Sequence, residues 1–146
     1  MTTPATPATP ATPEAPAAPA ARAVNTVAWF EIASDDPEGV QRFYGDLFGW
    51  RFRTDAGSAA VGMDYRLISY DGDEGARGGV FGTRGDMPGH AVFTVLVRDV
   101  AETCRQVEAL GGKVLSQVVG NAGGPDFAYL HDPSGNLFGI FAPAGA

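Results

Sequence analysis

One cysteine, Cys104, is all the thiol chemistry in this 146-residue chain, so disulfides play no part within it. Basic residues are scarce as well: 10 Lys and Arg stand against 17 Asp and Glu, a formal net charge of −7. Phosphate backbones and anionic membranes are held by clustered Lys and Arg, so this balance argues against nucleic acid and against a membrane surface as partners. No apolar run approaches the ~20 residues that a membrane-spanning helix needs. The start of the chain lacks nearly every side chain from which a core is built. Nineteen of its first 21 residues are Ala, Thr or Pro, and Thr3 to Pro13 repeats a Pro-Ala-Thr triplet. Proline removes amide donors and almost nothing apolar larger than Ala is present, so residues 1–24 are expected to be a disordered or polyproline-like tail. With no Lys or Arg near the start and no apolar stretch behind it, the tail reads against a signal peptide. Glu14 and Arg22 cancel, which leaves the whole acidic excess to the remainder. Together these features point to a soluble cytoplasmic protein.

What the remaining ~120 residues do have is an internal repeat, in a length that suits one domain. Asp36-Pro37-Glu38 opens an amphipathic run that closes at Leu47-Phe48-Gly49, and Asp99-Val100-Ala101-Glu102 opens another that closes at Leu110-Gly111-Gly112. The two runs are offset by 63 residues. Asp36 is a natural N-cap with Pro37 at the first helical position, and Gly49 suits a left-handed C-terminal position. Val40, Phe43, Tyr44 and Leu47 recur at helical spacing. In the second run Asp99-x-x-Glu102 resembles a capping box, and Val100, Cys104, Val107 and Leu110 share one face, with Cys104 expected as a small buried core residue. Strands are predicted at 26–32, 50–54, 63–70, 77–82, 90–97, 113–118, 126–131 and 136–142, separated by turns rich in Gly, Asp and Pro. The order is βαβββ twice, an α+β fold with module one over about 25–84 and module two over about 90–143.

Alternation along the strands assigns faces. Ala28, Phe30 and Ile32 oppose Val27, Trp29 and Glu31. Ala91, Phe93, Val95 and Val97 oppose His90, Val92, Thr94 and Leu96. Phe138 and Ile140 oppose Leu137, Gly139 and Phe141. The uniformly apolar sets are expected to pack under the helices, and the sets carrying Trp29, Glu31, His90 and Thr94 to line the other face.

The segments DPEGVQRFYGDLFGW (36–50), DVAETCRQVEALGGK (99–113) and DPSGNLFGIF (132–141) resemble the vicinal oxygen chelate superfamily, which contains glyoxalase I, bleomycin-resistance proteins and extradiol dioxygenases. The resemblance covers residues 25–143 and implies two βαβββ modules whose sheets curl into a cup, with helices on the convex side and often a divalent metal at the floor. Its enzymes place a His on the first strand of a module and a Glu near the end of the last. Carried over by motif, those positions fall near Val27 in module one, and at Val92 and Gly139 in module two. The matching strand of module one, Arg77 to Thr83, contains no Asp or Glu. Val and Gly side chains cannot coordinate a cation, so no metal and no cofactor is expected.

Candidate ligand-binding residues are therefore Trp29, Glu31, Tyr65, His90, Val92, Thr94, Tyr129 and Phe141, with Phe81 as a further aromatic wall. Each aromatic ring has a core role as its alternative. Glu31 either reaches the cup, where a carboxylate could act as a base or hold a cation, or forms a salt bridge with Arg51, Arg53 or Arg66. His90 either touches ligand or merely follows the Pro88-Gly89 loop edge, and His131 is expected to cap or pack in its turn. A site on His90 and Glu31 alone would offer a metal only two ligands, short of three.

Three function classes follow. The first is a metal-independent small-molecule-binding protein holding an apolar or aromatic ligand in the cup, as bleomycin-resistance-like members do. The second is a lyase-, hydroxylase- or epimerase-like enzyme of the superfamily using Glu31 as base. The third is a structural module with a filled cup. Superfamily members commonly associate, and exposed sheet edges would allow a homodimer.

Overall fold

The computed structural model describes residues 23–120 and 124–143. The tail expected over 1–24 falls almost wholly outside these residues. Eight strands and three helices follow in the order β1 (Thr26–Ser34), α1 (Pro37–Phe48), β2 (Arg51–Thr54), α2 (Ala56–Ala60), β3 (Tyr65–Ser69), β4 (Gly78–Gly82), β5 (His90–Leu96), α3 (Val100–Ala109), β6 (Lys113–Val118), β7 (Asp126–His131) and β8 (Leu137–Ala142). The short α2 is an addition to the repeat. It has no apolar period to announce it and starts where Asp55 Oδ2 accepts from Ser58 N and Ser58 Oγ, at 3.2 and 2.6 Å.

The long helices begin and end for local reasons. Asp36 Oδ1 accepts from Gly39 N at 3.0 Å, and a Cβ on residue 39 would fall 2.2 Å from Asp36 Oδ2, so the capping carboxylate lies directly on the bare backbone of Gly39. Gly49 takes φ 72° and returns its N–H to Gly45 O at 2.8 Å. Asp99 Oδ1 caps Glu102 N at 2.9 Å. Glu102 pairs with Arg105 at 2.8 Å rather than reaching back, so only half of the capping box forms.

All eight strands join one curled sheet in the order β2-β3-β4-β1-β5-β8-β7-β6. Its centre is the antiparallel β1–β5 seam, where Glu31 faces Val92 and Trp29 faces Thr94. These two pairs are each other's images under the 63-residue offset, so the repeat is a two-fold about the seam. Each module then adds a parallel strand: β4 beside β1, with Glu31 opposite Gly79, and β8 beside β5, with Thr94 opposite Gly139.

The helices cover the convex side unevenly. Helix α3 seals a core of Val97, Val100, Cys104, Ala128, Leu130, Ile140 and Ala142, with Val95 and Phe138 packed against it. Cys104 is 3% exposed, and burial pushes its thiol pKa up. Over module one, Ile68 and Val80 are fully buried, and Phe30 lies across Gly78, where a Cβ would meet its ring at 2.6 Å. Trp50 packs on Phe30 at 5.6 Å between ring centroids and stacks on Tyr44 at 5.1 Å.

Two expectations about this side need correction. Phe43 and Leu47 are largely exposed, because α1 docks through Tyr44 and Gly45 instead. Ala91 and Phe93 are exposed too: α1 lies on β1, β2 and β4 and α3 on β6, β7 and β8, leaving β5 at the uncovered seam. No helix among the described residues is long and apolar enough to cross a membrane.

Candidate functional site

Strand alternation brings Trp29 and Glu31 of β1, Tyr65 of β3, Gly79 and Phe81 of β4, His90, Val92 and Thr94 of β5, Tyr129 of β7, and Gly139 and Phe141 of β8 to the concave face. Glu31 stands at its centre, 8% exposed. Its Oε1 accepts from Tyr129 at 2.5 Å and lies 3.0 Å from His90 Nε2, and its Oε2 accepts from Tyr65 at 3.2 Å. Trp29 Nε1 donates to Tyr65 Oη at 3.0 Å. The five side chains thus form one network in which Trp29, Tyr65, Tyr129 and His90 all lead to a single carboxylate.

Electrostatics follow from this arrangement. Burial, followed by the charge of Glu31, holds the hydroxyl pKa values of Tyr65 and Tyr129 far above the ordinary 10.0. Both stay protonated and remain donors. The expected alternative, a salt bridge from Glu31 to an arginine, does not form. Arg51 faces Asp71 and Tyr70 O, and Arg66 is bound to Asp64 and Gln41 on the helix side.

Tyr65 owes its position to a glycine. A Cβ on Gly79 would fall 2.2 Å from Tyr65 Cε1 and 2.3 Å from its Oη, so the ring lies directly on the bare backbone. Gly139 plays the corresponding part in module two, where a Cβ would meet Thr94 Oγ1 at 3.1 Å. A glycine within a strand is a sequence signal for such close approach, and it was the one available pointer to this geometry. Val92 is buried beside Glu31, and Phe141 lies on the same face beside Leu96 and Phe127. His131 ends β7, and Asp132 beyond it organises the hairpin by accepting from Ser134 N, Asn136 N and Asn136 Nδ2, each at 2.9 Å.

The metal positions can now be compared with the residues that occupy them. A bulge between Val27 and Trp29 breaks the alternation. It pairs Val27 with Val95, on the side of the core, and leaves Val27 62% exposed. The two-fold about the seam therefore makes Trp29, not Val27, the counterpart of Val92, and Gly79 the counterpart of Gly139. None of the four offers a donor to a cation, and the two glycine positions are covered by Tyr65 and Thr94. Among the described residues no three His, Cys, Asp or Glu side chains converge as a ligand set. The residues present do not fit the superfamily's metal.

A separate open depression of about 510 Å³ lies at the end of β1, bordered by Asp35, Thr83, Asp86 and Pro88. It lacks aromatic walls and is not the floor around Glu31.

Comparison with known proteins agrees with this architecture. A family described as a glyoxalase-like domain matches residues 29–141. A glyoxylase-like domain-containing protein of Didymella fabae is 31% identical over 121 residues, spanning 82% of this chain and 94% of the relative. Methylmalonyl-CoA epimerase from Mycobacterium tuberculosis shares the fold at 17% identity with a TM-score of 0.55, covering 83% of this chain and 89% of the other. A hypothetical protein from Bacillus halodurans C-125 does so at 14% identity and a TM-score of 0.57, covering 83% and 96%. The chain belongs to the glyoxalase-like domain family, within the vicinal oxygen chelate superfamily.

Proposed function

We propose that this protein is a metal-independent small-molecule-binding member of its superfamily, holding its ligand on the concave face between the two modules. The observation that carries this is the occupancy of the floor. A hydrogen-bonded cluster of protein side chains centred on Glu31 stands where a ligated cation would otherwise organise the site. Around it, Trp29, Tyr65, Phe81, Tyr129 and Phe141 supply the aromatic walls, with few polar groups, that a concave ligand site uses. Trp29 and Trp50 are the only two tryptophans, so their indole N–H signals in a proton–nitrogen correlation spectrum can be assigned with Trp29→Phe. Titration with neutral and charged aromatic fragments should shift the Trp29 signal saturably and leave that of Trp50 in place. Absence of any such fragment, or stoichiometric retention of a divalent metal after dialysis, would sink the proposal.

A second reading, an epimerase-, lyase- or hydroxylase-like enzyme with Glu31 as base, draws support from the burial of Glu31 and from its having no arginine partner among the described residues. Against it, two hydroxyl donors and an imidazole already occupy three of the roughly four acceptor sites of the Glu31 carboxylate. If Glu31→Gln leaves every detected activity intact, this reading fails.

A further inference from the structure

The hydrogens of the network around Glu31 point inward. Trp29 Nε1–H is given to Tyr65, and the Tyr65 and Tyr129 hydroxyls to Glu31. His90 meets the same carboxylate through Nε2 at 3.0 Å, and because two acceptors cannot face each other this nitrogen is the one that donates. What the cluster has left over is acceptor capacity. A carboxylate has about four lone-pair sites and three are taken, so Glu31 Oε2 keeps one. Tyr129 Oη donates and receives nothing from the described residues. Among the described residues His90 Nδ1 has no partner while every fully buried side-chain polar atom does have one, so Nδ1 is reached by solvent.

Positive charge is kept away from this point. Among the described residues no Lys or Arg is paired with Glu31. Arg51 and Arg53 share the concave side but sit on β2, three strands and roughly 14 Å from β1. Arg66 is turned to the helix side and bound to Gln41. Enolate, carboxylate and phosphate ligands need donors or cations at the atom they present, and the Trp29, Tyr65 and Tyr129 donors around Glu31 are all committed.

We infer that the cup selects its ligand through a hydrogen-bond donor, an amine, ammonium or amidine group carried on an aromatic or aliphatic body, and discriminates against oxyanions. This rests on the reading of the concave face as the ligand site, and it names the chemical class that the site takes. The aromatic rings around Glu31 suit the same class, since ring faces attract a cation. The net charge of −7 favours its approach as well.

Three probes with similar bodies decide the point: 2-phenylethylamine, 2-phenylethanol and 3-phenylpropionate, titrated at neutral pH against the full chain with the Trp29 indole signal as readout. The amine should bind at least about tenfold more tightly than the acid, with the alcohol between them, because one charge-assisted hydrogen bond is worth that much. Glu31→Gln replaces an acceptor by an amide that also donates, and should bring amine and acid to within about twofold of each other. Tyr129→Phe keeps the ring, deletes the free acceptor on Oη and releases one on Glu31 Oε1, so the amine should keep its lead over the acid in this variant even if Glu31→Gln fails to fold. If the acid shifts Trp29 as well as or better than the amine, the inference is overturned while the binding reading stands. If none of the three shifts Trp29, both fall.

Discussion

Replacing Gly79 by alanine would put a methyl group 2.2 Å from the Tyr65 ring, where carbon contacts settle near ~3.5–4.0 Å. The ring therefore has to retreat by about 1.5 Å. That displacement exceeds what the Trp29–Tyr65 and Tyr65–Glu31 bonds at 3.0 and 3.2 Å can absorb. A lost hydrogen bond to a charged group costs about 1.5–3 kcal/mol. The clash adds about 1 kcal/mol, the low end for overpacking, because the atoms struck are the far end of a side chain that can swing aside. Residue 79 has ordinary strand geometry, so alanine returns about 0.5–1 kcal/mol by restricting the unfolded chain. The net expectation is a loss of about 2–3 kcal/mol. Urea unfolding measures it, and the Trp29 indole signal reports whether the network has opened. In the Tyr65→Ala background the ring is absent, and Gly79→Ala should become neutral or slightly stabilising. A Gly79→Ala protein as stable as the parent, with an unmoved Trp29 signal, would refute the packing argument and the network built on it.

Neighbouring residues of β1 should respond differently, because their side chains lie on opposite faces. Phe30→Ala removes the ring between Gly78 and Trp50 and should cost about 3 kcal/mol in a thermal or urea melt, the low end for a core phenylalanine because it is only partly buried. Trp29→Ala should cost less than Phe30→Ala yet abolish the binding of aromatic fragments; the reverse order would invert the face assignment. In alkali, Tyr65 and Tyr129 have folded pKa values raised above the ordinary 10.0, so the unfolded chain binds fewer protons than the folded one above that pH. Stability should fall as pH rises past about 10, and absorbance near 295 nm should show two tyrosines ionising only together with unfolding. Cys104 is 3% exposed with its thiol pKa pushed up by burial, so a disulfide reagent should label it only after denaturant is added. Fast labelling of the native protein would show that α3 does not seal its core.

Local chemistry made much of this fold readable in one dimension. Asp36 with Pro37, Asp99, Gly49 and the Asp132–Asn136 turn act within a few residues of themselves, and each forms the cap or turn its sequence implies. The eight strands fall within two residues of their predicted bounds for the same reason, since alternation and turn residues are short-range signals. Short range also sets the limits. The bulge after Val27 adds one unpaired residue that no composition marks, and it moved the counterpart of Val92 from Val27 to Trp29. The exposure of Phe43, Leu47 and Phe93 depends on how far each helix reaches across the sheet, which helical spacing cannot express.

The concave cluster divides along the same line. From the sequence came the residue types, the face shared by Trp29 and Glu31, the placing of His90, Val92 and Thr94 on that same face, and the lack of ligating side chains at Val92 and Gly139. The choice of partner for Glu31 came only from the tertiary structure. Tyr65 lies 34 residues away, His90 59 and Tyr129 98, and strand pairing across both modules is what brings them to one carboxylate. Arg51 is nearer in the chain and Arg66 directly follows Tyr65, yet the sheet order sends one to an edge and the register turns the other to the helix side. Residue identity determined what the floor could do; strand order and register, set by burial of the opposite face, decided which groups meet there.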